Sequence, residues 1–208
     1  MSCPAPTTME EAPLAPATDP RSTMPVSPRT TNSIADIIQA ITELGIILGK
    51  KEEAQKLTDH IETELNQIEE KTKSLNKQSV LIVVGRNPGT LEDIYVIGRN
   101  NYIDELITLA GGQNVVKNER NALKITKEAI FSFDPDVIIE INHQKMDKED
   151  EILEIWSRLN QVDAVKNNQV HILSSKVLLH PSQRIIDGAQ ILSDILHPEL
   201  KEKYGNHN

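Results

Sequence analysis

The sequence has 208 residues, of which 38% are hydrophobic, enough for one packed domain or two small lobes. Its formal net charge is −9 and it has no dense run of Lys and Arg, which argues against nucleic acid or an anionic membrane surface as the main partner. Cys3 is the only cysteine, so an intramolecular disulfide is excluded and the redox compartment stays open.

The first part of the chain has the composition of a disordered leader. Residues 1–28 hold seven of the eleven prolines, set among Thr, Ser and Ala. Such a segment buries too little apolar surface to offset the entropy of ordering, so we expect residues 1–30 to be disordered. No signal peptide is visible in this stretch, and no apolar run in the sequence is long enough to predict a membrane span.

Two helices of different character are predicted next. Ser33 is a suitable N-terminal cap for a helix within residues 31–50, where apolar residues recur every three or four positions. Residues 51–77 predict a longer helix that is charged almost all round and carries a thin apolar stripe. A coiled coil would also produce this stripe, but its shortness favours a strut lying along a domain.

After Lys77, short β-branched runs alternate with helical stretches. The predicted strands are residues 79–85, 136–141 and 169–173, and the predicted helices are residues 101–110, 126–132, 148–159 and 182–196. This alternation predicts an α/β fold, a parallel sheet with helices on both faces. Right-handed crossovers place the carboxyl ends of parallel strands at one edge of the sheet, where such folds bind ligands.

Gly111 and Gly112 raise the possibility of a phosphate-binding loop. Such a loop requires its glycines after a strand and before a helix. Here the glycines follow a predicted helix, so we interpret the pair as a helix stop.

The loop that begins at Gly85 does follow a predicted strand. It has neither the GxGxxG pattern nor a Walker lysine. It is therefore either a surface turn or a wall in which Arg86 and Asn87 donate hydrogen bonds to a ligand.

No arrangement of reactive side chains in the sequence indicates an enzyme or a metal site. The histidines do not take the HExxH or Cys/His spacing of metal sites, and there is no GxSxG nucleophile elbow. We therefore expect no catalysis, no cofactor and no dedicated metal site. Glu128 lies in the first turn of a predicted helix, where the helix dipole alone explains a negative charge.

Five segments in order resemble the periplasmic substrate-binding proteins of ABC importers for cobalamin, ferric siderophores and haem. They are SIADIIQAITELGIILGKKEEAQKL, YIDELITLAGGQNVV, ITKEAIFSFDPDVII, LNQVDAVKNNQVHIL and HPSQRIIDGAQILSDILHPE. Proteins of that family have two α/β lobes joined by a long rigid helix, with the ligand between the lobes. The resemblance implies a remnant of the N-terminal lobe at 31–50, the bridging helix at 51–77, the C-terminal substrate-binding lobe at 78–200 and a tail at 201–208.

The resemblance also implies roles for individual residues. Glu128 matches the glutamate that pairs with arginines of the membrane permease. The positions that match ligand-facing ones are Gly85, Arg86, Asn87, Arg99, Lys176 and His180. The basic residues among them suit an anionic ferric siderophore, whereas an aromatic content of only 3% speaks against cobalamin.

The implied function is capture of an iron–siderophore or corrinoid and its delivery to an ABC importer permease, in a periplasmic or other extracytoplasmic compartment. One wall of a two-walled cleft cannot enclose a ligand, so we expect weak binding or none by this chain alone. Two other functions stay open. The chain could be a stand-alone interaction module that pairs through the helix at 33–49, or an α/β enzyme with a nucleotide at Gly85.

Overall fold

A computed structural model gives the fold of residues 32–142, 148–174 and 178–200. The expected leader at 1–30 and the tail at 201–208 lie outside these described residues. The strands are β1 (Gln78–Gly85), β2 (Ile94–Ile97), β3 (Gly112–Asn114), β4 (Ala122–Ile125), β5 (Val137–Asn142) and β6 (Val170–Ser174). The helices are α1 (Ile34–Ile47), α2 (Lys51–Thr72), α3 (Tyr102–Leu109), α4 (Lys127–Phe133), α5 (Glu149–Ser157), α6 (Asp163–Lys166) and α7 (Ile185–Leu196).

The six strands form one sheet in the order β4-β2-β1-β5-β6, with β3 beside the first residues of β1. β1, β5 and β6 run parallel, with Val80 opposite Val137 and Ile138 opposite Val170. These are the three strands that were predicted from their β-branched runs. The predicted α/β fold is therefore confirmed.

The sheet is mixed rather than wholly parallel, which corrects one part of the prediction. β2 runs antiparallel to β1, and β4 runs antiparallel to β2. Both strands have only four residues, and neither is among the strands predicted from the sequence. Strands this short carry too little alternation to be recognised from sequence.

Two hydrophobic cores lie on opposite faces of the sheet, because successive side chains of a strand point to opposite sides. Val80 and Ile82 face the first core, which α1, α2, α3 and α7 cover. Leu81 and Val83 face the second, where residues of α4, α5 and α6 pack around Trp156. The predicted helices on both faces are thus confirmed.

α1 and α2 form a helical pair at the start of the described chain. Ser33 caps α1 as predicted, since its side-chain oxygen accepts the backbone N–H of Asp36 at 3.1 Å. α2 is one continuous helix of 22 residues that packs against α1, α3 and α7, as expected of a strut. It ends at Thr72, before the predicted end at residue 77, where the Thr72 hydroxyl donates to the carbonyl of Leu109 at 2.7 Å.

The glycine pair after α3 is a helix stop, as predicted. Gly111 has a φ of +81°, the left-handed conformation that closes a helix, and its N–H donates to the carbonyl of Thr108 at 3.1 Å. A side chain there would begin 2.4 Å from Nε2 of His197. Gly111 is therefore required both by its backbone conformation and by the close approach of the end of α7.

Candidate ligand-binding edge

The candidate site is the edge of the sheet where β1, β5 and β6 end. Because these strands are parallel, their last residues, Gly85, Asn142 and Ser174, lie on the same side of the sheet. Residues 143–147 and 175–177 lie outside the described residues, so the predicted ligand contact Lys176 cannot be placed. We refer to this side as the carboxyl-terminal edge.

Residues 86–93, which we call the edge loop, connect β1 to β2. Asn87 is exposed, and its N–H donates to the carbonyl of Glu92 at 3.0 Å. Gly89 has a φ of +72°, and no atom lies within 4 Å of where a side chain at Gly85 would begin. Gly85 and Asn87 therefore lie together at the carboxyl-terminal edge, where the backbone is approachable.

The edge loop leads into a strand rather than a helix. A phosphate-binding loop needs the amide groups at the start of a helix directly after the glycines. β2 follows the edge loop instead. The geometry required for a nucleotide at Gly85 is absent from this loop.

Arg86, predicted as a ligand contact, points into the protein instead. Its side chain is 3% exposed and pairs with Glu140 of β5, whose side chain is 7% exposed. Arg86 Nε donates to Glu140 Oε2 at 3.1 Å, and Arg86 Nη2 lies 3.1 Å from Glu140 Oε1. This two-point arrangement matches the planar guanidinium to the carboxylate.

The carboxylate of Glu140 also binds Trp156, and the guanidinium also binds the edge loop. Trp156 Nε1 donates to Glu140 Oε2 at 2.6 Å. Arg86 Nη1 donates to the carbonyls of Thr90 at 3.1 Å and Asn87 at 3.3 Å. The charge of Arg86 is therefore balanced inside the protein, and the expectation that it contributes positive charge to a ligand surface needs revision.

Arg99 does not lie with the other predicted contacts. It follows β2, which starts at the carboxyl-terminal edge and runs back along β1, so that Val96 already lies opposite Val83. Arg99 is therefore displaced toward the start of β1, while Asn87 lies beyond its end. The antiparallel turn at the edge loop, which the sequence did not reveal, is the reason for this separation.

His180 is exposed on the segment between β6 and α7. This segment is attached to α3, because the hydroxyl of Tyr102 donates to the carbonyl of Leu178 at 2.8 Å. Burial raises the pKa of Tyr102 to about 12, so its hydroxyl remains a donor at neutral pH. Tyr102 thus fixes the chain two residues before His180.

Glu128 is exposed in the first turn of α4. Hydrogen bonds from its own backbone amide and from Thr126 lower the pKa of its carboxyl group. β4 runs antiparallel to β2, so Ile125, opposite Ile94, brings the start of α4 to the carboxyl-terminal edge. Glu128 is therefore an ionised, accessible carboxylate on the same edge as the edge loop.

The sequence reasoning missed Glu140 and Trp156. The signal was present, since Glu140 is a charged residue within the apolar run VIIEIN of β5. A carboxylate in a buried strand requires a partner, because an unpaired buried charge is very costly. Identifying that partner as Arg86, 54 residues away, required the tertiary structure.

A surface depression of about 480 Å³ lies at the opposite edge of the sheet, lined by residues that include Ser79, Asn114 and Lys117. Two of its polar side chains have partners in the protein: Ser79 Oγ donates to Asp136 Oδ2 at 2.7 Å, and Asn114 Nδ2 donates to the carbonyl of Gly98 at 3.0 Å. Within the described ranges, no three His, Cys, Asp or Glu side chains lie close enough to hold a metal ion. In the same part of the chain, no helix is long and apolar enough to cross a bilayer.

An α/β lobe on a long helix, with its accessible loops along one sheet edge, is the architecture of a substrate-binding protein. The family model described as periplasmic binding protein matches residues 21–177. The chain belongs to this family.

Relatives with known names or structures agree with that assignment. The chain is 26% identical over 170 residues, 80% of its length, to the uncharacterized ABC transporter substrate-binding lipoprotein YvrC of Bacillus subtilis, of which it covers 52%. It is 30% identical over 151 residues, 68% of its length, to the high-affinity heme uptake system protein IsdE of Staphylococcus aureus, of which it covers 49%. The chain thus spans about half the length of these relatives.

Solved structures show the same fold. An ABC transporter substrate-binding protein from Listeria monocytogenes superimposes with a TM-score of 0.68 and 26% identity, over 81% of this chain and 66% of that one. The complex of IsdE with heme superimposes with a TM-score of 0.68 and 26% identity, over 80% of this chain and 66% of that one.

Proposed function

We propose that residues 78–200 form the C-terminal, substrate-binding lobe of an ABC-importer substrate-binding protein, with α2 as the helix that bridges to a second lobe. The family match over residues 21–177 carries this proposal. The chain would capture an iron chelate or a corrinoid and deliver it to a membrane permease, in a periplasmic or other extracytoplasmic compartment. Binding and release, rather than catalysis, are its proposed activity.

Haem is the ligand class that we favour within this proposal. The 30% identical relative is a haem uptake protein, and an exposed imidazole such as that of His180 is a common axial ligand of haem iron. The amide of Asn87 adds an exposed donor on the edge loop. Lys176 remains a proposed contact for anionic groups such as haem propionates or a siderophore, and Arg99 would contact only a ligand that extends along β2.

Glu128 is the proposed contact with the permease. Its carboxylate is exposed, and its lowered pKa keeps it ionised, as an ion pair with a permease arginine requires. A single exposed ion pair contributes only about 0.2 to 1 kcal/mol. Docking therefore needs further contacts, which a second lobe would supply.

The experiment is a titration of the chain with hemin, a ferric hydroxamate and cobinamide, followed by the fluorescence of Trp156. This is the sole tryptophan of the chain, and its indole N–H binds Glu140 beneath the edge loop. The proposal expects saturable quenching by at least one of these ligands. Failure of all three to bind, including after addition of the N-terminal lobe of IsdE, would contradict it.

A second candidate function is a protein-interaction module that pairs through α1. The end of this helix exposes an apolar ridge: Leu44 is 56% exposed, Ile46 50%, Ile47 61% and Leu48 70%. Contiguous apolar surface of this kind marks interaction sites. Light scattering at high concentration separates the two functions, because a strict monomer that binds hemin supports the first and excludes self-pairing as the activity.

A further inference from the structure

The ion pair beneath the edge loop is an unusual feature of this lobe. Glu140 lies in the central strand β5, with Ile139 and Ile141 on either side of it along the chain. Burying a carboxylate and a guanidinium removes both from water, and this cost can exceed the attraction between them. Apolar residues at these two positions would build the core at least as well, so the pair has its main effect elsewhere.

The contacts of the pair point outward, to the edge loop. Glu140 fixes the guanidinium from below through Nε and Nη2 of Arg86, and Trp156 fixes the carboxylate from α5. The remaining nitrogen, Nη1, donates to the carbonyls of Asn87 and Thr90. A chain of hydrogen bonds thus runs from α5 through β5 to the backbone of the edge loop.

Among the described residues, Leu91 also holds the edge loop, because it packs against the second hydrophobic core, but polar anchors to the lobe are few. The internal hydrogen bonds of the loop join loop residues to one another: Thr90 N–H donates to the carbonyl of Asn87 at 3.2 Å, and Glu92 N–H to the Thr90 hydroxyl at 3.3 Å. An ion pair between Asp93 and Lys124 ties the far end of the loop to β4, and both side chains are about half exposed. Arg86 is therefore the buried anchor of the segment that contains Asn87.

We propose that Glu140 and Trp156 are positioning residues of the ligand-binding edge, which hold Arg86 so that the edge loop presents Asn87 and Gly89 in one conformation. This inference rests on the proposed function, because it assigns the loop to ligand contact. It predicts that the loop loses its order when the cluster is removed, even if the core is intact. It also predicts that ligand affinity falls with that order, since a loop that must be ordered on binding binds less tightly.

The test compares the whole chain with three variants by amide hydrogen exchange. Glu140→Gln removes the charge that holds Arg86. The combined variant Arg86→Met, Glu140→Leu, Trp156→Phe replaces the entire cluster with apolar side chains and also removes the donor to the carbonyls of Asn87 and Thr90. Lys166→Met is the control, because it breaks an ion pair with Asp163 in which both side chains are about half exposed.

Exchange of the Asn87 and Thr90 amides should accelerate at least about tenfold in both cluster variants and remain unchanged in the control. The combined variant should keep slow exchange at Leu81 and Ile139 in the core strands. If the loop amides of the combined variant exchange as slowly as those of the wild type, the proposal is overturned, because the cluster would then stabilise only the core.

A second readout is the affinity for hemin, followed by its absorbance. We expect the combined variant to bind hemin at least about fivefold more weakly than the control. Equal affinity despite a disordered loop would overturn the positioning role. Absence of hemin binding by the unmodified chain would count against haem as the ligand, whereas the exchange experiment would still report whether the cluster orders the loop.

Discussion

At the scale of single residues, the edge loop is held by side chains that are buried beneath it. Arg86 was predicted from sequence as a ligand contact because it follows the first parallel strand. Its side chain turns inward, because Glu140 offers a charged partner in the interior and the loop carbonyls accept its remaining hydrogen bonds. Position in the sequence placed Arg86 in a loop at the carboxyl-terminal edge but could not give the direction of its side chain.

Glu140→Gln should lower the free energy of unfolding by about 3 kcal/mol, because it removes the carboxylate charge with which the buried guanidinium of Arg86 pairs. Urea unfolding followed by circular dichroism measures this change. The control is Asp163→Asn, which removes the acid of an exposed pair with Lys166 and should cost less than about 1 kcal/mol. Equal effects of the two substitutions would contradict the buried ion pair.

Gly111→Ala should destabilise the protein by about 3 kcal/mol. Its φ of +81° strains any residue with a side chain, and the new methyl group would lie 2.4 Å from Nε2 of His197 and 3.0 Å from Cβ of Thr72. Gly49→Ala is a matched control, since Gly49 has a φ of +67° but no atom within 4 Å, and should cost only about 1 kcal/mol. Thermal unfolding of both variants should show this difference, and a smaller loss at Gly111 than at Gly49 would refute the packing argument.

Tyr102 should make stability depend on pH in the alkaline range. Its pKa is raised from 10.0 to about 12, so the unfolded chain loses this proton before the folded chain does. The stabilising effect is complete below pH 10 and is lost as the pH rises toward 12. The stability advantage of the wild type over Tyr102→Phe, measured by urea unfolding, should therefore shrink across this range. An advantage that stays constant would mean that Tyr102 is not shielded from water.

At the scale of elements, long apolar runs were predictable and short pairings were not. β1, β5 and β6 are rich in Val, Ile and Leu, and their positions match the predicted ones to within one residue. β2 and β4 have four residues each, and β2 is defined by its pairing with β1 and β4 rather than by its own pattern. Arg99 and Asn87 were both predicted as ligand contacts. The chain reverses direction between them, so that β2 carries Arg99 away from Asn87, and the sequence does not show this reversal.

The start of α3 offers a prediction at this scale. Asn101 Oδ1 accepts the backbone N–H groups of Ile103 and Asp104, both at 3.1 Å, and Asn101 Nδ2 donates to the carbonyl of Gly98 at 3.0 Å. Asn101→Ala should lower the free energy of unfolding by about 2 kcal/mol, because it removes the cap from α3. Thr126→Ala at the start of α4, where the side chain makes no capping bond, should cost less than about 0.5 kcal/mol. Equal losses in chemical denaturation would show that the cap does not hold α3.

At the scale of the whole molecule, the described residues form one α/β lobe with the long helix α2 packed along it. The chain spans about half the length of the relatives that it matches. The apolar ridge from Leu44 to Leu48 projects where α1 turns into α2, away from both cores, and would be covered by a partner lobe or a second chain. The ridge and the carboxyl-terminal edge thus lie on different segments, and we propose a protein partner for the first and the ligand for the second.

We propose that the ligand contacts the carboxyl-terminal edge, where β1, β5 and β6 end. Iron(III) in hemin is paramagnetic and broadens the NMR signals of nearby amides, so a heteronuclear NMR spectrum with added hemin locates the contact directly. We expect selective broadening of the amide signals of Gly85, Asn87 and His180. Broadening centred instead on Gln113 and Ser132, at the depression on the opposite edge, would contradict this proposal.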